Sequence, residues 1–255
     1  MDLLNTMVDY IKKNLKMYAY SFKVDKDFLS VLLLNSLFFL STAGAVKLIE
    51  FISRVNMDKM NRIDLSNIAF QTEAQLKSTI ASMKGFVLFL IVAAVISVLF
   101  TIINWSFFQG IIHSILLKKK FNINFFWKFL ILNIIWALPW SILFFIILLG
   151  TKVTYFVFIF TICLLLFFHF SFILYLLFTK NNKFSDIKKA LKIGTAKIHY
   201  FILPYFLIFI TFMILSQVAL LKLGNIIMLL IFIVFFSWWQ YYIKNVILEI
   251  SERFK

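Results

Sequence analysis

The chain has 255 residues, 63% of them hydrophobic and only 15% charged, with 6 Gly and 2 Pro. Such an apolar composition excludes a soluble globular domain, and the scarcity of Gly and Pro excludes a flexible linker. The 26 Lys and Arg against 11 Asp and Glu leave a net charge of +15, but these bases border long apolar runs, which points to membrane topology and anionic lipid headgroups and excludes nucleic acid as the partner.

Six stretches lack Asp, Glu, Lys and Arg altogether: 28–46, 85–117, 129–151, 153–179, 198–221 and 223–243. Even the shortest has 19 residues, close to the ~20 that a helix needs to cross the ~30 Å hydrocarbon core. Backbone amides in lipid must be satisfied within the protein, which leaves helices or a closed barrel, and none of these runs alternates as barrel strands do. The expected fold is all-α: a polytopic helical membrane bundle of six transmembrane helices plus amphipathic interfacial helices, forming a single integral membrane domain over 1–255.

Along the chain, residues 1–27 come first. Leu4, Met7, Val8, Ile11, Leu15, Tyr18 and Phe22 recur at helical spacing, with Lys12, Lys13, Lys16 and Lys23 between them, the pattern of an interfacial helix. Asp2, Asp9, Asp25 and Asp27 make this segment a poor secretory leader, so an uncleaved first span is expected near 28–46. In the outer segment 53–84, Ile68, Leu76, Ile80 and Met83 recur at three- and four-residue steps among Asp64, Glu73, Gln75 and Lys77. Two readings are open there: an amphipathic surface helix, or a polar extension of the second span.

The second charge-free run has 33 residues, a helix of roughly 50 Å, so part of it must bend or leave the bilayer. Its crossing is placed near 86–107. Spans three and four are expected near 129–150 and 153–178, with a local kink at Pro139, which lacks a donor and crowds the preceding turn. Residues 184–198 read as an inner basic helix, with Ser185 as N-cap, Phe184, Ile187, Leu191 and Ile198 on one side and Lys188, Lys189, Lys192 and Lys197 around the rest. Spans five and six follow near 200–221 and 224–243, and the short connections at 150–152 and 222–225 make spans three and four, and spans five and six, antiparallel hairpins.

Six crossings with both ends inside place 18 Lys and Arg in the cytoplasm and 8 outside, as the positive-inside rule prefers. The expected localisation is therefore the cell membrane, multi-pass, with both termini cytoplasmic. Lys12, Lys13, Lys16, Lys188, Lys189 and Lys192 then face the inner leaflet, where each lysine contributes about 1 kcal/mol of attraction to anionic lipid. Membrane lipids, anionic ones in particular, are the expected partners.

The candidate site is a set of polar residues in five different spans: Asn35, Gln109, His113, Asn133, His169 and Gln240. With the N-terminus inside, all six fall in the inner half of the bilayer or near its inner boundary, and polar groups at such depth avoid lipid. They serve either as hydrogen-bonding glue between helices or as the lining of a cytoplasm-facing cleft in which His113 and His169 relay protons. Ser106, Gly110 and Ser114, four residues apart, add a small-residue stripe suited to close helix contact. Trp238, Trp239, Tyr241 and Tyr242 before Lys244 read as a bilayer boundary.

No cofactor, metal site or catalytic set is expected. No carboxylate lies mid-span and the lone Cys163 is intramembrane, while the three His residues lack HExxH spacing and neither a phosphate-cradling Gly loop nor a Gly-x-Ser-x-Gly elbow occurs. A Ser–His pair such as His113 with Ser114, or His169 with Ser171, is the one nucleophilic arrangement at hand. Three functions follow in order: a noncatalytic component organising lipids or partner proteins, a small-molecule permease with a cytoplasm-facing polar cavity, and a lipid-modifying enzyme.

The plan of six spans, with basic amphipathic segments before spans one and five (such as Lys188–Gly194 leading into span five) and tight outer hairpins, resembles the uncharacterised six-helix membrane domains related to the membrane part of some glycerophosphodiester phosphodiesterases. The resemblance covers the whole chain in architecture. It implies a six-helix membrane domain and, with no soluble phosphodiesterase domain in this sequence, neither a catalytic activity nor any functional residue.

Overall fold

The computed structural model describes residues 2–60, 72–219 and 224–253. It is 91% helical, with no strands and eight helices among the described residues. These are α1 (Asp2–Ser21), α2 (Lys26–Met60), α3 (Glu73–Leu116), α4 (Ile123–Gly150), α5 (Val153–Asn181), α6 (Asp186–Ala196), α7 (His199–Ala219) and α8 (Asn225–Arg253). Six of them, α2, α3, α4, α5, α7 and α8, are long and apolar enough to cross a membrane, and the chain is an integral membrane protein of the all-α class.

Local chemistry marks the helix ends. Asp25 Oδ1 accepts the amide of Phe28 at 2.8 Å before α2, and Asn122 Oδ1 accepts that of Phe125 at 2.8 Å before α4, each satisfying an amide that the first helical turn leaves open. After α5 the chain turns through Asn182 at φ 56°, a left-handed conformation that asparagine tolerates better than most residues. Ser185 stands at the N-cap of α6, but its hydroxyl caps nothing. The turn is closed by backbone bonds instead, from Asp186 N to Lys183 O and from Ile187 N to Phe184 O, both 3.1 Å.

Residues 73–84 are the first three turns of α3, continuous with the span; Asp64 and Ile68 lie outside the described residues, as does Lys222 between α7 and α8. At 44 residues, α3 is about 66 Å long, roughly twice the hydrocarbon thickness. Its first turn carries a Glu73–Lys77 ion pair of 2.6 Å on largely exposed side chains, which suits a helix end standing in water. α4 continues through Pro139 without interruption.

The residues sort into two compact units, Met1–Ser36 with Ser106–Lys255, and Leu37–Trp105. Within the smaller unit, Asn104 of α3 donates to Ser41 Oγ at 2.9 Å and Thr42 Oγ1 at 3.0 Å of α2, and Phe38 meets Trp105 edge-on at 5.4 Å. Elsewhere this unit shows apolar side chains outward, such as Leu88, Ile96 and Val98, as lipid-facing helices do.

The larger unit is built around the end of α5. Nine consecutive residues, Ser171–Thr179, are buried, so this stretch is enclosed on all sides, with α4, α6 and α8 packed against it. Far from this core the same helices expose large apolar residues, Leu149 at 71% and Phe158 at 68%. α1 packs along both α7 and α8. Lys13 pairs with Glu249 at 2.5 Å, Tyr10 donates to the carbonyl of Tyr200, Tyr18 and Thr211 hydroxyls meet at 2.7 Å, and Trp238 Nε1 donates to Ser21 Oγ at 2.9 Å. Advancing along α1 thus means advancing along α7 and retreating along α8.

Candidate functional site

The six interior polar residues all belong to the larger unit and are all buried, none more than 5% exposed. Asn35, Gln240 and Gln109 form one chain across α2, α8 and α3. Asn35 Nδ2 donates to Ser237 Oγ at 2.9 Å and to Gln240 Oε1 at 3.0 Å, and Gln240 Nε2 donates to Gln109 Oε1 at 2.9 Å. Amides suit such a chain because each supplies a donor and an acceptor at one end of a short side chain. Two of its atoms, Asn35 Oδ1 and Gln109 Nε2, have no partner among the described residues.

Asn133 joins α4 to α3 and α5. Its Nδ2 donates to Ser106 Oγ at 3.0 Å and to the Phe129 carbonyl at 3.0 Å, while Tyr175 OH donates to its Oδ1 at 2.5 Å. Close approach here depends on the small-residue stripe of α3. A methyl group at Gly110 would meet the rings of Phe121, Phe125 and Phe129 at 3.1, 3.6 and 3.6 Å. His113, one turn beyond Gln109, meets the ring of Tyr175 edge-on at 5.5 Å, and both of its nitrogens lack a hydrogen-bond partner among the described residues.

His169 ties α5 to α6 and α7. Its Nδ1 lies 2.7 Å from Tyr205 OH and its Nε2 3.2 Å from the carbonyl of Gly194. A side chain at Gly194 would collide with the Phe170 ring at 2.5 and 2.7 Å and with His169 Nε2 at 3.0 Å, so α6 can lie on α5 only because this residue is glycine. At the other end of α6, buried Asp186 accepts from Asn181 Nδ2 at 3.0 Å and stands 3.7 Å from Lys189 Nζ.

These contacts define what the site can do. Neither Ser–His pair drawn from sequence is joined: Ser114 donates to the Gly110 carbonyl at 2.8 Å, Ser171 accepts from Trp136 Nε1 at 2.8 Å, and His169 is engaged elsewhere. Among the described residues no three His, Cys, Asp or Glu side chains converge as a metal site would require. Trp238, Tyr241 and Tyr242, read from sequence as a bilayer boundary, are buried at 8% exposure or less. α1 covers Trp238 and Tyr242, with Tyr18 edge-on to them at 5.8 and 5.6 Å, while Tyr241 meets Asp25 before α2 and Phe28 within it.

The lysines of the two amphipathic helices point outward. Lys12, Lys13, Lys16, Lys188, Lys189 and Lys192 are all exposed, and of these only Lys13 and Lys189 make an ion pair among the described residues. Between α1 and α2, burial alone would raise the Asp25 carboxyl, but bonds from Tyr241 OH and the Phe28 amide, together with the nearby Lys244 charge, outweigh it and hold Asp25 below the ordinary carboxylate range.

Sequence reasoning missed the tyrosines. Tyr175 and Tyr205 each bring a hydroxyl to a residue of the set, and the available signal was their position inside charge-free runs, where a phenol must find a partner. Asn104, bonded to Ser41 and Thr42, was missed for want of an obvious partner along the chain. No protein-family model, curated protein or solved structure matches this chain.

Proposed function

We propose that this chain is a noncatalytic component of the cell membrane that organises the lipids or partner proteins around it, with both termini and the basic helices α1 and α6 on the cytoplasmic side. The observation that carries the reading is the closure of the polar interior: Asn35, Gln109, Asn133, His169 and Gln240 each hydrogen-bond to another helix at 2.5–3.2 Å. Such bonds average about 0.6 kcal/mol each, the scale of structural glue. The outward charge supports the same reading, since Lys12, Lys16, Lys188 and Lys192 make no ion pair among the described residues and are suited to anionic headgroups.

Reconstitution of the full chain alone into phosphatidylcholine and phosphatidylglycerol vesicles tests this. No saturable uptake of sugars, amino acids, nucleosides or organic anions is expected, and saturable flux of any of them overturns the proposal.

A second reading, a small-molecule permease, has one observation in its favour. Asn35 Oδ1, Gln109 Nε2 and both His113 nitrogens are buried without partners among the described residues, the kind of group a polar ligand satisfies. Cysteines placed beside Asn133, His169 and His113 in a Cys163→Ser background discriminate. Labelling by a water-borne thiol reagent supports a hydrated path, and protection at all three rejects it.

A further inference from the structure

A half-open groove of about 260 Å³ lies in the larger unit where the α1–α2 connection meets α7 and α8. Phe28, Thr211, Phe235 and Trp238 form its floor, each 9% exposed or less, while Phe22, Val24 and Val234 are 50%, 63% and 46% exposed along its walls. The volume falls short of the ~300 Å³ at which sites for drug-sized ligands begin, and so suits a length of hydrocarbon chain.

Apart from Lys23, the side chains lining the groove offer its occupant no polar atom in need of a partner among the described residues. Trp238 Nε1 already donates to Ser21 Oγ, Ser21 Oγ donates to the Tyr18 carbonyl at 2.6 Å, and Thr211 Oγ1 donates to the Leu207 carbonyl at 2.9 Å while meeting Tyr18 OH. Its direction follows from the helices. From Thr211 to Leu215 on α7, and from Trp238 back to Val234 on α8, both walls advance one helical turn, about 6 Å, away from the α1–α2 connection. The long axis therefore runs parallel to the spans, as acyl chains do.

At the connection end stands Lys23. It makes no ion pair among the described residues, and its ammonium lies only over the Tyr20 ring, 5.4 Å from the centroid. The neighbouring carboxylate of Asp25 is occupied by Tyr241 OH at 2.5 Å and the Phe28 amide at 2.8 Å, and Asp27 does not line the groove. A cation at one end of an apolar slot aligned with the spans matches one kind of molecule in a bilayer.

We infer that this groove is a phospholipid site, taking one acyl chain between α7 and α8 and the phosphate of an anionic headgroup on Lys23. The inference rests on the lipid-organising reading and gives it a place and a lipid class.

The test uses the full chain with Cys163→Ser and a bimane fluorophore on Val234→Cys, in phosphatidylcholine vesicles containing equal mole fractions of mid-chain nitroxide-labelled phosphatidylglycerol or phosphatidylcholine. Ile135→Cys on the outward face of α4, 48% exposed, reports the surrounding lipid. Quenching at position 234 is expected to favour phosphatidylglycerol about fivefold, with the preference lost in Lys23→Gln and absent at position 135. Equal quenching by both lipids at 234, or a preference that survives Lys23→Gln, overturns the site. The same preference at 135 as at 234 also overturns it, while leaving a general lipid role standing. Saturable solute flux from the same vesicles counts against the wider reading alone. Because Lys23 and Val234 are both exposed, these variants do not disturb the core.

Discussion

At Gly194 the absence of one carbon decides whether two helices can touch. A methyl group there would sit 2.5 and 2.7 Å from ring carbons of Phe170, and overpacking of this kind costs about 1–3 kcal/mol. Alanine's better helix propensity offsets at most about 1 kcal/mol of it. Gly194→Ala should therefore lower the thermal midpoint in detergent, and because the carbonyl of the same residue accepts from His169 Nε2, His169→Ala in that background should add less than it does in the wild type. Gly85→Ala is the matched control, with nothing within 4 Å of the new carbon; it should leave the midpoint unchanged or raise it. A drop of equal size in both variants would remove the close-approach argument.

At the scale of the element, α1 is the helix whose role changes most between sequence and structure. Its apolar and basic spacing reads as a helix lying on a surface, yet Asn14 and Ser21 are buried at 1%, and its rings pack on those of α8. Periodicity shows that a helix has an apolar face and is silent on what covers it, so a partner helix and a lipid surface look alike in the sequence. For the same reason the sequence does not tell that Tyr18 of α1 packs on Trp238 and Tyr242. The long charge-free runs were legible because the bilayer demands them, and the inward turn of polar residues such as Asn133 and Gln240 follows from the cost of facing them to lipid. The partners of Asn133 and Asn35, Tyr175 and Ser237, were not legible, since no spacing within one helix encodes which residue of another it meets.

The corner between α1 and α2 gives this element a pH signature. Asp25 is held below its unfolded value near ~3.9, so the stability it contributes is present in full above that value and is lost as pH falls through the lower folded one. Asp25→Asn should be less stable than the wild type at about pH 7 and should approach it as the pH falls below ~3.9, because only the wild type loses this term. Thermal unfolding across that range measures it. A constant gap between the two proteins at every pH would assign the carboxylate no linked role.

For the whole molecule, the ion pair of Lys13 with Glu249 at 2.5 Å brings α1 against the C-terminal turns of α8, as the proposed topology with both termini on one side requires. The absolute sense is a separate matter and depends on charge: the proposed topology of six crossings puts 18 Lys and Arg on the side of both termini and 8 on the other, and lysine-rich loops stay cytoplasmic during insertion. Reporters fused to the N-terminus and to the C-terminus should therefore both be active in the cytoplasm and silent outside. One active and one silent would contradict the even number of crossings and the packing of α1 on α8 together. Both active outside would keep the fold but invert the lysine-bearing face, and α1 and α6 would then lie against the outer leaflet, away from the anionic lipids that the exposed Lys12, Lys16, Lys188 and Lys192 are disposed to hold.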